Sequence, residues 1–132
     1  DPLGHEAWSG DPNTWQPPPP GQPADPDAWR TGGILDHDGN RDCHRDGAPS
    51  EHVIWKTRIG TNGPVAPIIP AGQYTVRVDT RSMCSDASAG WYVAAYTNGT
   101  LLEAVRGVST PDDVQQPHGA NAGVTALRVT LP

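Results

Sequence analysis

The stretch GWYVAAYTNGTLLEAVRG, residues 90 to 107, decides the fold. Two runs rich in aromatic and β-branched residues flank Asn98-Gly99, a dipeptide that adopts positive φ readily and closes antiparallel strands through a two-residue type I′ turn. With that loop, a regular ladder sets Tyr96 opposite Leu101, Ala94 opposite Glu103 and Tyr92 opposite Val105, all on one face. Trp91, Val93, Ala95, Leu102 and Ala104 take the other. Glu103 marks the first face as the outer one, because an unpaired carboxylate is expensive in a core. An outer face that carries Tyr92, Tyr96, Leu101 and Val105 needs a cover. The reverse assignment of faces is the alternative.

Outward from the hairpin, short alternating segments recur between Gly, Pro and Asn. HVIWKTRI (52 to 59) places Val53, Trp55, Thr57 and Ile59 on one side. QYTVRVDTR (73 to 81) alternates Tyr74, Val76 and Val78 with Thr75, Arg77 and Asp79, VTALRVTL (124 to 131) closes the chain, and GGIL near residue 34 opens the series. Fifteen Gly and fifteen Pro in 132 residues, about twice the ordinary share of either, argue against long helices. Six or so strands at this spacing predict an all-β domain of β-sandwich or jelly-roll type over residues 33 to 132.

Residues 1 to 32 differ in kind. They hold eight of the fifteen prolines and three of the five tryptophans, with Leu3 the one aliphatic side chain larger than alanine. Proline fixes φ and removes backbone donors, so the segment reads as an extended arm of polyproline character. A disordered linker is the plain alternative. Trp8, Trp15 and Trp29 weigh against it, since each presents a large apolar surface that normally finds a partner. The expected role of the arm is to dock on a β-domain, its own or a neighbour's, along the stripe of Tyr92, Tyr96, Leu101 and Val105.

Nine basic against fifteen acidic residues give a net charge of −6 and leave no basic cluster for a phosphate backbone, so nucleic acid is excluded as a partner. No apolar run approaches the length that crosses a bilayer, which argues against membrane insertion, and the start of the chain is compatible with removal of a signal peptide. The two cysteines, Cys43 and Cys84, are too few for a four-sulfur metal site and are expected to form a disulfide, with two unrelated thiols as the alternative. Closing that loop would stabilise the fold by about 4 kcal/mol in the chain-entropy treatment. The compartment implied is oxidising: secreted or cell surface.

GGILDHDGNRDCHRDG, residues 32 to 47, sets oxygen-bearing side chains at alternate positions: Asp36, Asp38, Asn40 and Asp42, with Asp46 nearby. Calcium takes six to eight hard oxygen ligands, and an extended loop of this pattern points several toward one ion. Arg41 and Gly47 stand where an EF-hand needs glycine and glutamate, so a structural calcium loop of another kind is the expectation, with a capped turn as the alternative. The histidines His5, His37, His44, His52 and His118 are too scattered for zinc. No nucleophile elbow, H-E-x-x-H pair or phosphate loop is present, and the adjacent Asp112 and Asp113 read as loop residues, so no catalytic residue is assigned and no enzyme is expected. Asn98-Gly99-Thr100 matches a glycosylation sequon inside the tight turn. Trp55 and Trp91 fall at core positions of strands, with stacking on a carbohydrate as the alternative.

GGILDHDGNRDC, EHVIW, PAGQYTVRVDTRSMC and GWYVAAYTNG together resemble the small extracellular β-sandwich modules of secreted bacterial proteins, close in style to pre-peptidase C-terminal domains. The resemblance covers about seventy-five residues and leaves out the arm. It implies an accessory module that binds surfaces, carbohydrate or calcium, or joins other domains. Two functions are expected in order: an extracellular structural subunit whose arm docks on further copies of itself to build a fibre or surface assembly, and a calcium-dependent carbohydrate- or surface-binding module.

Overall fold

A computed structural model describes residues 1–39, 43, 47 and 50–132. The architecture is all-β, as expected, with helix confined to short 3-10 turns among the described residues. The strands are β1 (Ile34–Asp38), β2 (Glu51–Ile54), β3 (Arg58–Gly60), β4 (Gly63–Val65), β5 (Gly72–Val78), β6 (Ala89–Thr97), β7 (Thr100–Ser109) and β8 (Val124–Leu131). Among the described residues they pair as four antiparallel two-stranded ribbons: β1 with β2, β3 with β4, β5 with β8 and β6 with β7. The segment expected as one strand over 52–59 is two, broken at Trp55–Thr57.

The chain forms two compact units, one of Asp1 and Leu3–Pro70, the other of Pro2 and Ala71–Pro132. This division does not coincide with the expected boundary at residue 32: the Pro-rich segment folds with the residues that follow it. Proline explains how. Pro12 has no N–H to give but keeps a carbonyl, which accepts the Leu35 amide at 2.8 Å. Asn13 bridges to Ile34, and Thr14 exchanges two bonds with Gly33, one from its own amide to the Gly33 carbonyl (2.9 Å) and one from the Gly33 amide to its hydroxyl (2.8 Å). The segment thereby lines the edge of β1 that β2 leaves open. Trp55 lies against the bare Cα of Gly33, where a β-carbon would come within 2.3 Å of the indole.

A 3-10 turn at Ala28–Thr31 fastens the other end of the segment. Asp25 accepts the Asp27 amide at 2.8 Å, and Asp27, itself buried, ion-pairs with Arg30 and takes the Thr61 amide at 2.6 Å. Arg30 Nε reaches the Ile59 carbonyl at 2.9 Å, and the Ile68 amide reaches the Thr31 carbonyl at 2.8 Å.

In the second unit β5 and β8 align Tyr74 with Val129 and Val76 with Leu127. Among the described residues Tyr74 and Leu127 are the buried hydrophobic ones, and burial pushes the Tyr74 phenol above its ordinary value. Of the two hairpin strands, β7 lies nearer to β8. Ser109, at the end of β7, is buried and shares a 2.5 Å hydroxyl hydrogen bond with Thr80, just past β5.

Candidate functional site

The expected turn is present. Asn98 and Gly99 have φ of 47° and 79°, as a type I′ turn requires, and Tyr96 sits opposite Leu101. Past that pair the ladder departs from the regular register. Ala95 faces Glu103, so Leu102 is an extra residue on β7, and from there Ala94 faces Ala104, Val93 faces Val105, Tyr92 faces Arg106 and Trp91 faces Gly107. The bulge moves Val105 off the tyrosine face and onto the face of Trp91 and Val93, and it moves Glu103 with it. Val105 therefore drops out of the expected stripe. The extra residue belongs to β7, so β6 keeps an uninterrupted edge.

The tyrosine face is the outer one. Tyr92, Tyr96 and Leu101 are 55%, 60% and 49% exposed, and Leu102 and Val108 are exposed as well. The Arg106 guanidinium lies 5.5 Å from the centre of the Tyr92 ring, on the residue it faces across the ladder. On the opposite face the Trp91 indole occupies the space above Gly107, where a β-carbon would come within 2.0 Å of the ring. Its buried Nε1 has no hydrogen-bond partner among the described residues.

The tryptophans of the N-terminal segment belong to the first unit. Trp8 packs in a tight turn with its ring against Gly10, and its backbone exchanges bonds with Asp11. Trp15 is half-buried beside Asn13, whose side chain accepts the Trp15 amide at 2.9 Å. Trp29 is exposed, with the Arg30 guanidinium 4.4 Å from its ring centre.

Of the calcium candidates, Asn40, Asp42 and Asp46 lie outside the described residues, as does the side chain of Asp38. Asp36 is the extra residue of a bulge in β1, and its carboxylate lies 3.7 Å from both His52 Nδ1 and Lys56 Nζ. No cluster of three metal-ligating side chains occurs among the described residues. Cys43 and Cys84 are joined in a disulfide.

A cleft of about 450 Å³ opens in the second unit, lined by Val78, Asp79, Asp112, Asp113 and Asn121 among others. Asp113 Oδ2 takes the Thr110 amide (2.7 Å) and hydroxyl (3.0 Å). Asp79 takes His118 Nδ1 at 2.5 Å on one oxygen and the Gly119 amide at 3.1 Å on the other, while His118 Nε2 points to the Val114 carbonyl at 3.1 Å. Carboxylate and carbonyl both only accept, so the imidazole satisfies both when each nitrogen carries a proton. Asp79 first, and the Val114 carbonyl second, hold the His118 pKa above its ordinary value. These carboxylates are engaged in fastening the 110–123 loop. His118 and Asp79 are thirty-nine residues apart, and no local pattern connects them.

No family model matches the chain, and comparison with curated proteins and with solved structures found no match.

Proposed function

We propose that the chain is a non-enzymatic extracellular structural subunit that assembles with copies of itself. The observation that supports this reading is the inverted distribution of apolar side chains: Tyr74 and Leu127 are buried, while Leu3, Trp29, Ile59, Ile68, Tyr92 and Tyr96 are exposed. Isolated soluble domains rarely leave a contiguous apolar face such as that of the β6–β7 hairpin in water. Secretion or display at a cell surface agrees with the disulfide, which persists in oxidising compartments. A contact through the hairpin, joined to a second through the exposed Leu3 and Trp29 of the N-terminal segment, gives each subunit two unlike surfaces, which is what a fibre requires.

Static light scattering of the oxidised chain tests the proposal. The apparent mass rises with concentration if subunits associate. A monomer mass at every concentration sinks the reading, and would favour a solitary binding module whose Tyr92 and Tyr96 stack on sugar rings.

A further inference from the structure

We infer that two copies pair antiparallel through their β6 edges, about a two-fold axis at Ala94, to give a continuous four-stranded sheet; this rests on the assembly reading above. Three observations converge on a second copy as the occupant. First, β6 is an edge strand. Among the described residues its one ladder partner is β7, it is farther from β8 than β7 is, and no backbone hydrogen bond outside the hairpin engages residues 89–97. Proteins normally protect such an edge with charge, proline or a bulge. Over its nine residues, AGWYVAAYT, β6 has neither charge nor proline, and the bulge falls on β7.

Second, the edge is complementary to itself. In a chain of net charge −6 most surfaces repel their own copies. A strand without charge brings no like charges face to face when it meets itself.

Third, both tyrosines belong to the outward-facing set, and one two-fold register pairs them. The two-residue turn closes on Thr97 and Thr100, so Thr97, Ala95, Val93 and Trp91 direct their backbone groups toward β7, and Tyr96, Ala94 and Tyr92 direct theirs outward. Opposite residues in a sheet share a face. A two-fold axis at Ala94 therefore sets Tyr92 opposite Tyr96 of the second copy and Tyr96 opposite its Tyr92, two cross-strand aromatic pairs on the exposed face. Four partly exposed tyrosine rings supply on the order of 400 Å² of burial. With the backbone edges the contact reaches on the order of 1,000 Å², the lower range for specific association.

Charge substitution at the two tyrosines tests both the surface and the register, and because both side chains are exposed the fold is preserved, which circular dichroism checks. In Tyr92→Lys/Tyr96→Lys each lysine meets a lysine of the other copy; in Tyr92→Lys/Tyr96→Glu each lysine meets a glutamate. The expected result is at least a tenfold loss of association for the first variant and retained association for the second, read by sedimentation. If wild type associates but the two variants behave alike, the β6 pairing is overturned while the assembly reading stands. If wild type is monomeric throughout, both fall.

Discussion

The Trp91 indole lies over Gly107, the residue it faces across the β6–β7 ladder, at a separation that leaves no room for a β-carbon. The bulge at Leu102 creates this relationship. In the regular register Trp91 would face Arg106, and the extra residue replaces that arginine with the one glycine in β7. Gly107→Ala is predicted to force the ring out of its seat and destabilise the second unit by about 1–3 kcal/mol, as overpacking does. Trp91→Phe removes a buried N–H that has no partner among the described residues and is predicted to cost less than Gly107→Ala. Urea denaturation followed by circular dichroism measures both.

The His118–Asp79 clasp predicts a pH dependence. Because the folded-state pKa of His118 is raised, its contribution to stability is fully present below the ordinary histidine value of about 6.5 and is lost as pH rises through the higher folded value. Exchange of the Gly119 amide, which Asp79 holds, should speed up across that window beyond the intrinsic rise with pH. His118→Gln should abolish the excess; an unchanged profile in the variant would contradict the clasp.

Asp27 is the anchor of the first unit. Its buried carboxylate satisfies the Thr61 amide and neutralises Arg30, and Gly60 lies so close that a β-carbon there would sit 2.6 Å from Asp27 Oδ2. Asp27→Ala leaves the amide without its acceptor and the guanidinium without its counter-ion, and is predicted to cost about 2–4 kcal/mol. Equilibrium unfolding measures this; a loss below about 0.5 kcal/mol, the scale of ordinary surface substitutions, would contradict the anchoring role.

Thr14→Val keeps the volume and removes the hydroxyl that accepts the Gly33 amide. The predicted cost is about 1–2 kcal/mol, with faster hydrogen exchange at Gly33 and Leu35. Protection unchanged at both would mean that the N-terminal segment does not hold β1.

The strands legible in the sequence were those in which alternation and turn chemistry agree. VTALRVTL predicts β8 residue for residue, and Asn98-Gly99 predicts the hairpin turn. Leu102 left no such mark, because a bulge is chosen by what it brings together at a distance, here Trp91 and Gly107. Glu103 gave the correct outer face for a reason that does not hold: it lies on the Trp91 face, and its carboxylate reaches water because the residue is close to the hairpin tip. The N-terminal segment reads as an arm because prolines suppress ladder donors. The contacts that fold it use Pro12 as an acceptor and Thr14 and Asp27 as side-chain partners, which periodicity does not encode.

In the proposed assembly the exposed hairpin face joins subunits. Sedimentation velocity of the oxidised wild-type chain beside Tyr92→Ser/Tyr96→Ser/Leu101→Ser measures it most directly. The wild-type sedimentation coefficient is expected to climb with concentration while the variant holds the monomer value over the same range. Two chains that both remain monomeric, or a variant that associates as well as wild type, would contradict it.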